Sequence, residues 1–516
     1  MKIAEVSTNP SVDIALDTIN IGKQALVFVN TKRSAESTAE KISMKLKTDN
    51  LELKELSETI LKALSSPTKQ CRRLSKCVSK GVAFHHAGLA YSQRKIIEDN
   101  FKKGLIKIIS CTPSLAMGVN LPAFRAIMRD LKRYGGRWGM QWIPVLEYHQ
   151  MVGRAGRPDF NDDYGEAICI ASSESEKTEV LEKYLRGEPE DVYSKLAVEP
   201  VLRSNILGLI STKFARSKKE LLDFFKETLY GYQYGDFTEI EIIITKILGD
   251  LDEWGFIKTD KDDFVSADEI GEINLRSTPL GDRVSQLYLD PYTANFIITS
   301  LRRALQKKTT EFSYLQMVSN TLELRPLFKV KMKEIEFVEA VLNDNAFNLI
   351  VLEPSVYDHE YDDFLNSIKT AIIFEDWMDE NNEEYLLEKY DVTPGLFGMK
   401  LNLADWILYS TEELAKMLNF NEILKDISKT RFRLKKGIKE ELIPLVRLKK
   451  IGRVRARKLF RNGVKDIGDV KKVDITKLTQ LLGKALAYDL KKQIGEEIKE
   501  VPNGRRKGQL GLGKFW

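Results

Sequence analysis

Apolar and polar positions in the first 180 residues alternate in a way that predicts an α/β domain. Residues 25–30 form a continuous apolar run between polar residues, which is typical of a strand buried on both faces. Further strands are predicted to end at Phe84 and to cover 105–110, 124–131 and 166–171. Helical spacing separates these strands, and we expect Ser92 to cap one helix and Gly104 to end it. Strands that alternate with helices favour a parallel sheet.

The pattern after residue 180 is mainly helical. Two helical stretches and a charged hairpin between residues 196 and 275 predict a winged helix, and helical spacing continues from Leu280 to about residue 400. The predicted organisation is multidomain: an α/β domain at 1–180, a winged helix at 181–277, a helical domain at 278–400, a helix-hairpin-helix domain at 401–500 and a flexible tail at 501–516.

Charge is distributed unevenly along the 516 residues. Residues 431–516 hold 25 Lys and Arg against 9 Asp and Glu, whereas the remainder holds 55 against 66. A basic block on an otherwise acidic chain predicts a polyanionic partner, although a solvated lysine-rich surface is the alternative. The four cysteines have no metal-ligand spacing, so no metal site is expected. Without a long apolar run, a cytoplasmic protein with no membrane partner is expected.

Polar residues and glycines follow the predicted strands at their carboxyl ends, where parallel sheets bind ligands. They stand in four segments: VFVNTKRSAE (27–36), FHHAGL (84–89), CTPSLAMGVNLPA (111–123) and QMVGRAGRP (150–158). In order and spacing, these segments resemble motifs IV, IVa, V and VI of the second RecA-like lobe of superfamily 2 helicases. Their variants are most similar to the archaeal Hjm-type DNA helicases of the superkiller-like branch.

The resemblance implies a role for each matched residue. Arg154 and Arg157 would be arginine fingers on the γ-phosphate of ATP, since arginine forks two donors onto phosphate oxygens. Gln150 would contact ATP or its attacking water, with Gly118 and Asn120 on the ribose side. The implied DNA contacts on this domain are Thr31, Arg33, His86 and Thr112. The alternative is that the two arginines merely pair with the acidic residues that follow them.

The phosphate-binding half of such an ATP site is expected to come from elsewhere. A P-loop needs Gly-Lys followed by Ser or Thr to hold the phosphates and Mg²⁺. The Gly-Lys pairs here begin at Gly22, Gly483 and Gly513, and none of them has Ser or Thr next. ATP and Mg²⁺ would therefore be held mostly by a separate first RecA-like lobe, and we expect little ATPase activity from this chain alone.

Two further segments are candidates for DNA contact through aromatic stacking. Residues 131–146 predict a glycine-rich hairpin whose Tyr134, Trp138 and Trp142 are the candidates for stacking on bases. The resemblance implies that this hairpin splits the duplex, and an ordinary surface hairpin is the alternative. Helix 360–382 resembles the family's ratchet helix, with Trp377 and Lys369 opposite its core face as DNA contacts. The alternative is a helix buried on both sides by its neighbours.

The C-terminal part carries two more candidate segments. Residues 445–463 resemble a helix-hairpin-helix, although its turn is Lys450-Ile451-Gly452 and not Gly-apolar-Gly. Its expected DNA contacts are Arg453, Arg455 and Lys458. The alternative is a basic helix of the kind found on any small domain. Residues 481–486 resemble a degenerate second copy of the motif. The last eight residues resemble the peptide that docks onto sliding clamps of the proliferating-cell-nuclear-antigen type, with anchors Gln509, Leu512, Phe515 and Trp516. A tail that folds back is the alternative.

These features predict the ATP-sensing and DNA-tracking part of a DNA helicase. The resemblance implies 3′-to-5′ movement and the unwinding of forks during replication-coupled repair, at the nucleoid. The expected partners are single-stranded and forked DNA, a sliding clamp and a first helicase lobe. A non-catalytic DNA-binding adaptor tethered to the clamp is the alternative. An RNA helicase is disfavoured by the helix-hairpin-helix segment and the clamp peptide.

Overall fold

The computed structural model describes residues 3–64, 66–156, 162–196, 198–235, 237–259 and 274–496, without the side chain of Arg137. The chain forms two compact units. The larger unit comprises Met1–Ile373 and Asn382–Ser428, and the smaller unit comprises Phe374–Asn381 and Lys429–Trp516.

The larger unit begins with the α/β domain that the apolar pattern predicts. Its elements are α1 (Pro10–Asn20), β1 (Ala25–Phe28), α2 (Lys32–Lys45), α3 (Leu51–Lys62), α4 (Lys69–Val78), β2 (Val82–His85), α5 (Tyr91–Lys102), β3 (Ile108–Cys111), α6 (Ser114–Gly118), β4 (Arg125–Met128), β5 (Lys132–Tyr134), β6 (Met140–Trp142), α7 (Val145–Val152), β7 (Glu166–Cys169) and α8 (Glu174–Val180). Five strands form a parallel sheet in the order β2-β3-β1-β4-β7. The predicted parallel sheet is confirmed. Ser92 does not cap α5, because the helix already begins at Tyr91.

The central strands are buried on both faces, which explains their unbroken apolar runs. Strand β4 is an exception because it contains Arg125, whose side chain is fully buried. Its guanidinium pairs with Asp17 at 2.6 Å and with Glu166, and it donates to the Thr18 hydroxyl at 3.0 Å. A buried charge persists only when it is paired, so these contacts tie α1, β4 and β7 together.

The larger unit continues with a mainly helical portion. Its elements are α9 (Glu199–Ser211), α10 (Lys218–Lys226), α11 (Leu229–Tyr234), α12 (Thr238–Glu253), β8 (Ile257–Thr259), β9 (Leu275–Ser277), α13 (Pro279–Gln286), α14 (Pro291–Ala304), α15 (Glu311–Ser319), α16 (Ile335–Asn345), α18 (Glu383–Tyr390) and α19 (Pro394–Met417). Helices α17 (Tyr361–Met378) and α20 (Asn421–Lys436) each begin in the larger unit and end in the smaller one. Strands β8 and β9 pair antiparallel where a hairpin is predicted, and the residues between 259 and 274 lie outside the described part. Helix α19 runs through residue 400, so the predicted domain boundary there is wrong.

The smaller unit adds five short helices around its own apolar core. They are α21 (Ile443–Val446), α22 (Arg453–Arg461), α23 (Ile467–Lys472), α24 (Ile475–Leu482) and α25 (Lys484–Gln493). A residue with positive φ precedes both α22 and α25, at Lys450 (φ 66°) and Gly483 (φ 86°). Both predicted hairpin segments therefore have a helix-turn-helix outline, and lysine occupies a turn position that usually favours glycine.

A backbone contact joins the start of α19 to the loop after β2. The Gly395 N–H donates to the Gly88 carbonyl at 3.0 Å. A Cβ on Gly395 would lie 2.2 Å from the Leu89 carbonyl oxygen and 2.3 Å from the Ala87 carbonyl oxygen. Only glycine permits this approach, because backbone atoms cannot rotate away as a side chain can.

We expect Gly395→Ala to lower the free energy of unfolding by about 1–3 kcal/mol, since the added methyl group overpacks the contact. Urea denaturation would measure the change. Gly398→Ala is the matched control, because it lies in the same helix and its added Cβ meets nothing within 4 Å. Equal stability of the two variants would contradict this account of the contact.

Candidate functional site

The Arg154 side chain lies against the segment that follows β3. It donates to the Asn120 side-chain oxygen at 3.3 Å and to the Ala116 carbonyl, while its buried Nε has no partner in the described structure. The backbone is fixed as well, because the Ala123 N–H donates to the Arg154 carbonyl at 2.8 Å. Arg154 pairs with no carboxylate among the described residues, and Asp162 pairs with Lys23. Pairing of Arg154 with Asp162 or Asp163 is therefore not favoured, and Asp159 lies outside the described residues.

The other residues that are predicted to bind the nucleotide differ in how close they lie to Arg154. Asn120 bonds to Arg154 directly, and Gly118 lies two residues before it at the end of α6, where an added Cβ would meet nothing within 4 Å. Gln150 is exposed near the end of α7. Arg157 lies outside the described residues. Among the described residues Arg154 donates to neutral acceptors, so its charge is not neutralised there and fits a phosphate oxygen of ATP.

The three predicted DNA residues near motifs IV and IVa differ in exposure. Thr31 caps α2 by accepting from the Ser34 N–H at 3.0 Å, and both Thr31 and Arg33 are exposed. His86 is only 1% exposed. Its Nδ1 accepts from the Gly88 N–H at 3.1 Å, so Nε2 carries the proton that faces Glu36 at 3.2 Å. A direct contact of His86 with DNA is therefore wrong, because its ring is enclosed and both nitrogens are used.

Thr112 lies at the carboxyl end of β3, beside the base of the hairpin. Its hydroxyl is 2.9 Å from that of Ser114, and both line a cavity of about 290 Å³ together with Asn30 and Arg133. Arg133 belongs to β5 and pairs with Glu147 at 2.9 Å. Thr112 and Arg133 therefore line one polar cavity, between the carboxyl end of β3 and the hairpin.

The predicted hairpin is formed by β5 and β6, which pair antiparallel from Lys132–Trp142 to Tyr134–Met140. Trp138 lies at its tip and is 82% exposed, beside exposed Tyr134 and Met140. Trp142 instead packs below, edge-on to Tyr184 at 5.9 Å and under the Lys132 ammonium at 4.0 Å. Of the two tryptophans, Trp138 is free to stack on a base and Trp142 anchors the hairpin.

Helix α17 is buried on both faces, so the predicted DNA contacts there are wrong. Lys369 is 2% exposed and binds Glu334 at 2.7 Å and the Lys329 carbonyl at 2.8 Å. Trp377 is 8% exposed and donates to the Leu434 carbonyl at 3.0 Å. The Arg453 guanidinium lies 3.9 Å from the Trp377 ring centroid. These partners occupy the groups that a base or a phosphate would need.

The predicted DNA residues of α22 also bind within the smaller unit. Arg453 donates to the Asn381 carbonyl at 3.0 Å in addition to stacking on Trp377, so it is committed to internal contacts. Arg455 and Lys458 are exposed and donate to the Lys450 and Leu481 carbonyls. Each keeps further donors that a phosphate could use. The clamp peptide from Gln509 to Trp516 lies outside the described residues.

Sequence reasoning missed a groove of about 710 Å³ beside motif IV. Lys32 and Arg33 of α2, Gln70 of α4 and Thr393 before α19 contribute to its walls. Gln70 and Thr393 stand outside every recognised motif, and Thr393-Pro394 is typical of an ordinary helix start. Nothing in the local pattern indicated that these residues share a site.

The described residues contain neither a membrane span nor a cluster of metal ligands. No helix there is long and apolar enough to cross a membrane. No group of three or more His, Cys, Asp and Glu there could hold a metal ion.

The sheet, motif geometry and hairpin define a RecA-like helicase lobe with further domains, and comparison with known proteins agrees. Residues 62–159 match the helicase conserved C-terminal domain, and residues 312–437 match domain 4 of archaeal helicases. The ATP-dependent DNA helicase Hel308 of Methanococcus vannielii is 37% identical over 99% of this chain and 70% of its own length. The Hel308 proteins of Pyrococcus horikoshii and Pyrococcus abyssi are each 37% identical over 96% of this chain and 67% of theirs. The chain belongs to this family of archaeal DNA helicases.

We expect Trp138→Ala to weaken binding to forked DNA roughly 5- to 150-fold, because one base–aromatic stack is lost. Its unfolding free energy should change by less than about 0.5 kcal/mol, since the ring is exposed. Trp142→Ala is the control and should mainly lower stability. Fluorescence anisotropy and urea denaturation measure the two effects. Unchanged fork affinity of Trp138→Ala would refute the stacking role.

Proposed function

We propose that this chain is the ATP-sensing and DNA-tracking portion of a helicase that moves 3′-to-5′ and unwinds forked DNA in replication-coupled repair. The observation that carries the proposal is the sheet edge on which Thr112 and the aromatic hairpin lie, together with the Arg154 side chain, which donates to the Ala116 carbonyl of α6, the helix that follows Thr112. Family membership supports DNA as the substrate. A first RecA-like lobe with a P-loop completes the nucleotide site, because these 516 residues contain no Gly-Lys followed by Ser or Thr.

Helix α6 is the element that connects the two sites in this proposal. Arg154 holds the Ala116 carbonyl in α6, and Ser114 at the start of the same helix bonds to Thr112. A short helix transmits a displacement along its axis because its hydrogen-bonded turns move together. When ATP is bound between the lobes it supplies phosphate oxygens to Arg154 and Arg157. The release of Ala116 then lets α6 and Thr112 shift against the DNA strand.

We expect the purified chain to show negligible DNA-dependent ATPase activity, and we expect a separately supplied P-loop lobe to restore it. Arg154→Ala should lower the restored rate by about 10³- to 10⁵-fold, since an arginine finger stabilises charge in the transition state. Arg186→Ala, an exposed arginine paired with Glu182, is the control and should leave the rate unchanged. DNA-stimulated hydrolysis by the chain alone, or a restored rate that tolerates Arg154→Ala, would count against the proposal.

The same reconstitution tests the second candidate function, a non-catalytic adaptor that links DNA to a sliding clamp. The exposed Arg455 and Lys458 of α22 and the resemblance of residues 509–516 to a clamp-docking peptide support this candidate. An adaptor would bind DNA and the clamp but would show no ATPase activity with any added lobe. Restored hydrolysis would exclude it.

We expect deletion of residues 509–516 to abolish binding to a sliding clamp while leaving DNA affinity unchanged. Two aromatic anchors in one partner pocket supply most of the affinity of such short peptides. Phe515→Ala with Trp516→Ala should have the same effect in calorimetric titrations with the clamp, and Gly511→Ala is the control within the tail. Clamp binding that survives the deletion would refute the role of the peptide.

A further inference from the structure

Helix α7, which carries Gln150, is held at its start by the segment 181–190 that follows α8. The Glu190 carboxylate accepts from the Val145 N–H at 2.7 Å and from the Leu146 N–H at 3.1 Å. A carboxylate at this end stabilises a helix, because it bonds to N–H groups that have no partner within the helix and complements the helix dipole. The segment therefore fixes one end of the helix that leads into motif VI.

The same segment reaches the base of the hairpin through Tyr184. Leu181–Leu185 forms a single turn of π-helix, a rare geometry that is frequent at functional sites. The Tyr184 side chain is fully buried, and its hydroxyl donates to the Ile143 carbonyl at 2.8 Å and lies 3.5 Å from the Leu131 carbonyl. Burial raises the pKa of the Tyr184 phenol, so the hydroxyl stays protonated and remains a donor. Because Leu131 precedes β5 and Ile143 follows β6, Tyr184 holds the two arms of the hairpin together.

Tyr184 also joins the hairpin to α7. The centroid of its ring lies 4.8 Å from that of Tyr148 in α7 and 5.9 Å from that of Trp142 in β6. A second connection runs from Arg133 of β5 to Glu147 of α7, which pair at 2.9 Å. Close-packed side chains transmit a strain to their neighbours, so a shift of α7 is carried into the hairpin.

We propose that Tyr184 is a positioning residue for strand separation, an inference that rests on the proposed function. It holds the hairpin against α7, so that a displacement of Arg154 by the phosphates of ATP also moves Trp138 at the hairpin tip. Without the bond from its hydroxyl to the Ile143 carbonyl, the base of the hairpin loosens and absorbs part of that displacement. Because Tyr184 is fully buried, it contacts neither ATP nor DNA and acts only through the hairpin.

Tyr184→Phe tests this role, because it removes the hydroxyl and keeps both ring contacts. The full chain is mixed with a separately supplied P-loop lobe, and ATP hydrolysis on single-stranded DNA and fork unwinding are measured on the same mixture. We expect the ratio of unwinding to hydrolysis to fall roughly 2- to 30-fold, the effect of single substitutions on the coupling between sites. Hydrolysis and fork affinity should stay at wild-type values, because Arg154 and Trp138 keep their own contacts. Tyr193→Phe, an exposed tyrosine later in the same connection, is the matched control and should leave the ratio unchanged.

A double variant separates positioning from a general loss of stability. If Tyr184 acts through the hairpin tip, Trp138→Ala with Tyr184→Phe should unwind no more slowly than Trp138→Ala alone, since effects that share one route are not additive. Additive losses, a wild-type ratio in Tyr184→Phe, or a matching fall in hydrolysis would overturn the inference.

Two further outcomes are distinguishable from these. A wild-type mixture that hydrolyses no ATP, or hydrolyses it without unwinding the fork, would refute the proposed function instead. If Tyr184→Phe does not fold, Glu147→Gln replaces it, because it weakens the second connection between α7 and the hairpin. The ratio of unwinding to hydrolysis must then fall, and an unchanged ratio overturns the inference.

Discussion

The parallel direction of the central strands is the constraint on which the rest of the structure depends. Because all five strands run the same way, their carboxyl ends meet at one edge of the sheet. Each crossover passes through helices on a face of the sheet, which leaves that edge open to ligands. Asn30 and Thr112 lie there, whereas the backbone pairing of Ala123 with Arg154 lies at the amino end of β4. Thr112 and the hairpin thus share one platform, and the Arg154 side chain reaches α6, the helix that follows Thr112.

The sequence allowed this platform to be predicted because its signals are local. A strand buried on both faces produces an unbroken apolar run, as in 25–30, and the flanking motif residues follow within a few positions. The hairpin could be predicted from the sequence just as well, since glycines between aromatic flanks define its turn. Errors arose where a contact spans many residues. Trp377 was predicted to face DNA, but its partner Leu434 lies 57 residues later and covers the face that periodicity left open.

His86 and Gln70 also show that contacts between residues far apart in the sequence could not be predicted from local patterns. Both meet Glu36, from separate helices and loops, in one buried cluster. Motif resemblance placed His86 on the DNA, whereas its ring is enclosed and bonds to Glu36 and to the Gly88 N–H. Gln70 had no motif at all, and its unused oxygen becomes visible only when hydrogen bonds are counted in three dimensions. A one-dimensional pattern identifies which residues are polar but not which of their atoms remain unsatisfied.

The net charge of a segment likewise overstates how many of its cations are available to bind a ligand. The basic C-terminal block suggested a broad DNA surface, yet Arg457 pairs with Glu380 and Glu441 and Lys450 pairs with Asp489. Each internal pair must be opened before its cation can bind a phosphate, and exposed pairs oppose this by only about 0–1 kcal/mol. Exposed residues such as Arg455 and Lys458 therefore remain the most accessible donors of α22.

Under the proposed function, the partners of Arg154 hold its guanidinium in place before ATP binds. Its present acceptors, the Ala116 carbonyl and the Asn120 amide, are neutral. Hydrogen bonds from arginine to a phosphate are charge-assisted on both sides, and charge-assisted bonds are roughly twice as strong as neutral ones. A γ-phosphate within reach would therefore displace both acceptors with a net gain. The same two acceptors keep the guanidinium oriented when no phosphate is present, so the finger loses little side-chain entropy on engagement.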